Sequence, residues 1–395
     1  MKHYQYVIIG GGMAGDAAAR GIRELDAKGS IGMFSMETDP PYTRPALSKS
    51  LWKGRAIEKI WRNTQALGVE LLLGRGVNRL DVPHKRLFDD QGQEYSFDKL
   101  LIATGGSPVR LPIGGDKVVY FHSLQDYRRL RKLSEAGSEF LVIGGGFIGS
   151  EITAALTSIG KQVVLVFREE AIGARIFPGD LARSLNDYYR DRGVEVLPYD
   201  EVSAIKESLG RITVTTQAGH NFQVDGVVAG IGLSPNLELA RQAGLQLENG
   251  IQVDEHLQTS AADVYAAGDV ANFFLAPLGK RVRVEHEDNA IHMGLQAGRN
   301  MAGAGAPYTH VPMFYSDLFE LGYEAVGELD SSLQMVSDWQ EPYKKGVIYY
   351  LDQGRVRGVL LWNVWKQVDA ARALLAEPGP FTAADLKGRL SAQVA

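Results

Sequence analysis

Two stretches of this chain, IIGGGMAGDAAARG (residues 8–21) and VIGGGFIGSEITAAL (142–156), repeat one pattern: an apolar run, three glycines, a two-residue gap and a fourth glycine. Such a loop carries meaning only between a strand and a helix. Both copies meet that condition. YQYVIIG leads into Gly10, Gly12 and Gly15, and DAAARGIREL follows; EFLVIG leads into Gly144, Gly146 and Gly149, and SEITAALTSIG follows. The first glycine permits the tight turn and the second lets a pyrophosphate approach the backbone. The third lets the helix pack closely on the strand, with its N-terminal amides aimed at the phosphates. Two loops in full strand–loop–helix context predict two bound dinucleotides.

Each unit should continue into a second strand ending in an acid that can hydrogen-bond an adenosine ribose. After the second loop, KQVVLVFREE sets Glu169 twenty residues beyond Gly149. After the first, SIGMFSMETD reads as a poorer strand, broken by Gly32, and offers Glu37 just past Met36. Either carboxylate could equally be a solvated strand end. Two further strand-to-turn junctions occur: KLLIATGGSP, with Thr104 and Gly105, and ADVYAAGDVANF, with Gly268 and Asp269. The Asp269 carboxylate could accept a hydrogen bond from a ligand hydroxyl.

With 395 residues the chain can form two or three domains. Its 45% hydrophobic and 23% charged residues are an ordinary globular balance. A net charge of −5 without a basic tail disfavours nucleic acid and anionic membranes as partners. The basic run YRRLRKL (127–133) reads as one solvated helix face. There is no cysteine, which excludes a disulfide, a Cys-ligated iron–sulfur cluster, a Cys₄ zinc site and a thiol relay on this chain. No apolar run is long enough to span a bilayer and no leader pattern precedes the first strand, so a cytoplasmic location is expected.

In this order, the four elements resemble the two-dinucleotide-fold flavoprotein reductases, which are similar in architecture to glutathione reductase. Within that class, PPYTRPALSKSLW (40–52) resembles a segment shared by bacterial ferredoxin reductases and apoptosis-inducing-factor-like flavoproteins. RVEHEDNA (283–290), PMFYSDL (312–318), GYEAVGELDSSL (322–333) and GVLLWNVW (358–365) look more like the latter. The resemblance implies an α/β chain with two Rossmann-like domains, one for FAD and one for NAD, and a C-terminal α+β interface domain. Residues 1–110 with 241–307 would bind FAD, 111–240 would bind NAD(H), and 308–395 would form the third domain. GGSPVRLPIGGD (105–116) and GIGLSPN (230–236) would be the connecting hinges. The long insertions, mitochondrial leader and basic surface of the animal proteins are not expected in this chain. Met36 and Val109 stand where the resembled family carries an acid and an arginine, so flavin adenosine contacts are expected to shift toward Glu37 and Arg110.

The resemblance also assigns chemistry. Lys49, in a short helix read from PALSKSLW, would stand beside the flavin ring and pair with Glu151, two residues past Gly149. A fixed cation there favours the reduced ring. Without the resemblance, the pair reads as a surface lysine and a helix-terminal glutamate. Arg44 would lie near the flavin pyrophosphate or ring, and Glu285 and His286 near its pyrimidine side. Phe314 and Tyr315 would be aromatic walls, and Val77 a further FAD contact. Phe147, Ile148 and Gly232 would join the NAD contacts. No metal is expected, because His286 and His292, six residues apart, do not share a helix face.

The leading expectation is a flavoprotein with non-covalent FAD that takes hydride from NADH, preferred over NADPH. Electrons then pass to an external ferredoxin-like protein, a quinone or dioxygen. The alternative is an apoptosis-inducing-factor-like redox sensor that holds a long-lived reduced-flavin–NAD complex, with a redox-dependent homodimer as its partner state. A dinucleotide-binding scaffold without turnover comes third.

Overall fold

The computed structural model describes residues 1–208 and 210–390; residues 391–395, the end of the expected third domain, lie outside the described residues. By internal contacts the chain divides into two units. The first comprises Met1–Pro45, Ala56–Ser107 and Ser234–Pro312; the second comprises Ala46–Arg55, Pro108–Leu233 and the chain from Met313 onward.

The first unit is built on a twisted sheet whose parallel strands run Val69–Leu73, Ile31–Ser35, Lys2–Ile9, Glu94–Ile102 and Val264–Ala266. Arg86–Asp89 and Val77–Asp81 extend it as an antiparallel edge. Register places Ile9 opposite Ile102, and Ile102 opposite Ala266. The loops beginning at Gly10, Ala103 and Ala267 therefore leave the sheet side by side at its carboxyl end, where open α/β sheets bind ligands. Gly32 does not break its strand, contrary to the sequence reading: Ile31–Ser35 is continuous and fully buried. A Cβ at Gly32 would come within 2.7 Å of the Tyr4 ring, so the glycine makes room for an aromatic cover.

The helix Met13–Leu25 lies against Glu287–Met301 at backbone distance. A Cβ at Gly298 would stand 2.0 Å from the Ala18 carbonyl oxygen, and one at Gly294 would stand 2.3 Å from that of Ala14. Asp16, in the first turn and fully buried, accepts from Arg20 Nε at 2.9 Å, Arg62 Nε at 2.5 Å and Thr64 Oγ1 at 2.6 Å.

The second unit contains a parallel sheet in the order Glu195–Leu197, Gln162–Val166, Glu139–Ile143, Gly226–Ala229, Val118–Tyr120. Ile143 pairs with Val166 and with Ala229. The loops from Gly144, Phe167 and Gly230 thus share one edge, as in the first unit. An antiparallel layer of Val202–Ser208, Arg211–Thr216 and Asn221–Val224 packs on this fold through Val202, Ile205, Val214 and Val224. The C-terminal part is an antiparallel sheet, Met313–Leu318, Leu321–Gly327, Arg355–Trp362, Lys345–Asp352, Gln334–Glu341, followed by the helix Val368–Ala376. The long hairpin read from GVIYYLDQGRVRGVLLW is present, and Tyr323, Tyr349, Tyr350 and Trp362 are buried. The basic run lies on the helix Leu124–Ala136, with Arg128, Arg129 and Lys132 exposed.

Asp16→Ala should cost about 3 kcal/mol, because it leaves Arg62, 15% exposed, without its ionic partner. Thermal unfolding is the measurement. An unchanged midpoint would show that this buried network carries no net stability.

Candidate active site

Both glycine loops show the division of labour expected of them. At Gly10 and Gly15 a Cβ would strike backbone oxygens, Ala103 O at 2.0 Å and Gly10 O at 2.1 Å. At Gly144 and Gly149 the distances are 2.4 Å to Gly230 O and 1.8 Å to Gly144 O. A Cβ on Gly12 or Gly146 would meet nothing within 4 Å. These two residues are the N-caps of the helices Met13–Leu25 and Phe147–Ser158, and no side chain caps either. Open space above uncapped helix amides suits a pyrophosphate at each loop.

In the first unit Glu37 lies two residues beyond its strand. Its carboxylate accepts from Arg44 Nη2 and from the Tyr42 hydroxyl, both at 2.6 Å, and Arg44 Nη1 reaches Tyr42 Oη at 3.0 Å. Tyr42 lies in the segment PPYTRPALSKSLW, but its place as the link between two expected contacts was not read from it. Met36 is 84% exposed. Arg110 belongs to the second unit and lies over the Tyr120 ring, 4.8 Å from its centroid. Val77 begins an edge strand opposite Asp89. Thr104 donates to the Asn236 carbonyl at 3.0 Å, Asn236 returns a bond to Thr104 O at 2.8 Å, and Gly105 takes φ +60°.

Gly268 opens a single 3₁₀ turn at φ +78° and presents Asp269. Burial first, then the like charge of Glu285, push the Asp269 carboxyl up to about 6, against the pull of Arg44 and Arg283. Arg283, which sequence reading passed over, donates to the Asp269 carbonyl at 3.1 Å and pairs with Glu285 at 2.5 Å. His286 is the N-cap of Glu287–Met301.

The structure also joins Asp288, His292 and His310. His310 Nε2 lies 2.6 Å from Asp288 Oδ2, and His292 Nδ1 lies 3.3 Å from Oδ1. The two imidazoles are stacked at 3.8 Å with planes 12° apart. No cation can lie in both ring planes in that arrangement, so the trio does not fit a shared metal as it stands.

In the second unit Lys49 does not sit in a helix as the sequence suggested. The 3₁₀ turn ends at Leu47, and Lys49 follows in the next turn. Its Nζ is 2.6 Å from Glu151 Oε1, with the two side chains 13% and 3% exposed. The same Nζ stands 5.3 Å from the centroid of the Tyr315 ring. The helix bearing Glu151 also carries Phe147, which packs edge-on against Phe314, and Ile148. Glu169, three residues past its strand, pairs with Arg175 at 2.5 Å. Arg168 turns to Glu201 at 3.0 Å. Gly232 takes φ +113° and accepts from the Val109 amide at 3.0 Å.

Among the described residues, no helix is long and apolar enough to cross a membrane. Residues 4–294 match the family described as pyridine nucleotide-disulphide oxidoreductase. Residues 297–342 and 337–377 match the C-terminal domain described as apoptosis-inducing factor, mitochondrion-associated. The chain is 34% identical to apoptosis-inducing factor 1, mitochondrial, of Dictyostelium discoideum, over 95% of this chain and 79% of that protein. It is 33% identical to the 5,5'-dehydrodivanillate O-demethylase ferredoxin reductase subunit of Sphingobium sp., over 95% and 94%. Among solved structures, a chain of the covalent putidaredoxin reductase–putidaredoxin complex superposes with a TM-score of 0.88 at 28% identity, covering 95% of this chain and 94% of that one. The chain belongs to the pyridine nucleotide-disulphide oxidoreductase family and is an FAD-dependent NAD(P)H oxidoreductase.

Proposed function

We propose that this chain takes hydride from NADH onto FAD and passes the electrons to a small ferredoxin-like protein. The observation that carries the reading is the Lys49–Glu151 pair, a buried cation–carboxylate contact beside the open second glycine loop. When bound, FAD supplies two-electron uptake from NADH and release of electrons one at a time. Around it, the Gly10–Gly15 loop takes the flavin pyrophosphate, Glu37 with Arg44 takes the adenosine side, and Asp269 accepts from a ribityl hydroxyl. Thr104, Gly105, Val77, Glu285, His286 and Tyr315 complete the FAD contacts. The Gly144–Gly149 loop takes NADH through Phe147 and Ile148, with Glu169 on the ribose and Gly232 nearby. Lys49 is the fixed positive charge that favours electron uptake, and Glu151 holds it there.

An external acceptor is supported by the absence of cysteine, which leaves the chain no thiol or iron–sulfur relay of its own. It is also supported by the names of the ferredoxin reductase and putidaredoxin reductase relatives. We assign the reaction to the cytoplasm. The match at 297–342 and 337–377 favours a second reading, a slow-turnover redox sensor whose oligomeric state follows NADH. Stopped-flow reduction of the purified yellow protein by NADH, then reoxidation in air with and without a ferredoxin, separates the two. Fast reoxidation dependent on ferredoxin supports the reductase. A long-wavelength absorbance that persists in air, with a changed elution volume, supports the sensor. A colourless protein that FAD does not reconstitute overturns both.

Lys49→Met should slow flavin reduction by roughly ten- to a hundredfold, the loss of one charge-assisted contact of about 1.5–3 kcal/mol. NADH affinity should change little, since that charge matters to the redox step more than to binding. A variant reduced at the wild-type rate removes Lys49 from the chemistry.

NADH should be used at least about tenfold more efficiently than NADPH, because the Glu169 carboxylate repels a 2′-phosphate and Arg168 is engaged by Glu201. Glu169→Ala should narrow the ratio of kcat/KM values. NADPH preferred by the wild type would hand the choice to Arg168 or Arg175.

FAD affinity of the apoprotein should depend on pH through Asp269. A hydroxyl donor favours the ionised carboxylate, so binding is full above the apoprotein pKa of about 6 and weakens as pH falls below it. Flavin fluorescence titrations from pH 8 to about 5 test this. Asp269→Asn should bind more weakly at pH 8 and lose that pH dependence.

A further inference from the structure

Glu151 does not meet Lys49 alone. Ser48 Oγ donates to its Oε2 at 2.5 Å, and Ser316 Oγ donates to its Oε1 at 2.6 Å, the oxygen that Lys49 also contacts. These donors come from two places in the chain: Ser48 and Lys49 from the turn after Leu47, and Ser316 from the strand Met313–Leu318. Both serines are buried, Ser316 completely and Ser48 at 6% exposure. A buried hydroxyl without a partner is costly, so a serine at such a position needs an acceptor, and here the acceptor is one carboxylate.

A carboxylate with donors on a single oxygen can still turn about its last bond. Donors on both oxygens, from segments far apart in sequence, remove that freedom. Ser316 is itself held by the register: it sits opposite Tyr323, which is buried. On the other side the Tyr189 hydroxyl donates to the Ser150 carbonyl at 3.1 Å and ties down the helical turn that bears Glu151. We infer that Ser316 and Ser48 are positioning residues that lock the Glu151 carboxylate from both sides, so that it holds the Lys49 ammonium in one place for the redox step. This rests on the reductase reading above. Neither serine needs to touch a cofactor or the nucleotide. Their effect passes through Glu151, which is why a change at strand 313–318 can reach the lysine.

The experiment compares wild type, Ser316→Ala and Ser316→Thr, each loaded with FAD. In stopped flow with NADH, Ser316→Ala should lower the limiting rate of flavin reduction about tenfold while half-saturating NADH stays unchanged. Ser316→Thr, which keeps the hydroxyl, should restore the rate. Infrared spectra of protein labelled with ¹³C-glutamate give a second readout; the Glu151 carboxylate band is the one lost in Glu151→Gln. That band should shift in Ser316→Ala and return in Ser316→Thr. A Ser316→Ala protein with wild-type rate and band would overturn the proposal, as would equal loss in both variants, which indicates packing alone. If Ser316→Ala does not fold, Ser48→Ala is read the same way on the other oxygen. A wild type that NADH does not reduce would sink the reductase reading instead, and the infrared band would still decide the clamp.

Discussion

A helix can begin directly off the end of a strand only if its first turn comes within contact distance of the strand's last peptide. In this chain that contact is made twice, by Gly15 on the Gly10 carbonyl and by Gly149 on the Gly144 carbonyl, at separations no Cβ would permit. Everything at the candidate site follows from it. The close approach aims the helix amides at the sheet edge, and leaves the middle glycine facing open space. Parallel register then brings two further loops to the same edge in each unit.

The repeated scaffold does not repeat its chemistry. One residue past the last glycine, the first loop carries Asp16, a carboxylate consumed by Arg20, Arg62 and Thr64 and so committed to holding its unit together. Two residues past the last glycine, the second loop carries Glu151, whose donors are Ser48, Lys49 and Ser316. Both are buried acids close to a helix start, Asp16 within the first turn and Glu151 just beyond it. What separates them is which segments the tertiary fold delivers to that turn. A rigid arginine network suits an anchor, and a carboxylate among hydroxyls holds a single lysine cation by geometry.

The short segment Ala46–Arg55 illustrates how chain order and grouping part company. It follows the strand and turn that place Glu37 and Arg44, yet it packs with the second unit, where Lys49 meets Glu151. Pro45 and the 3₁₀ turn Arg44–Leu47 stand at this transition. Proline fixes φ and limits the paths the chain can take there.

The two strand–loop–helix units, the strand-end positions of Glu37 and Glu169, and the C-terminal hairpin were legible in the residues. Apolar runs, glycine spacing and turn chemistry are local signals, and these elements are specified by their own few residues. The continuity of Ile31–Ser35 was not legible, because the reason for Gly32 is a tyrosine from the neighbouring strand. The resemblance suggested that Lys49 would meet Glu151, but no spacing could bring Ser316 to the same carboxylate, Arg283 to Asp269, or His310 to Asp288. Those partners are decided by sheet register and by which faces pack together. The bond from Ser316 to Glu151, across 165 positions, leaves no period in the sequence, and exists only once burial has made it necessary.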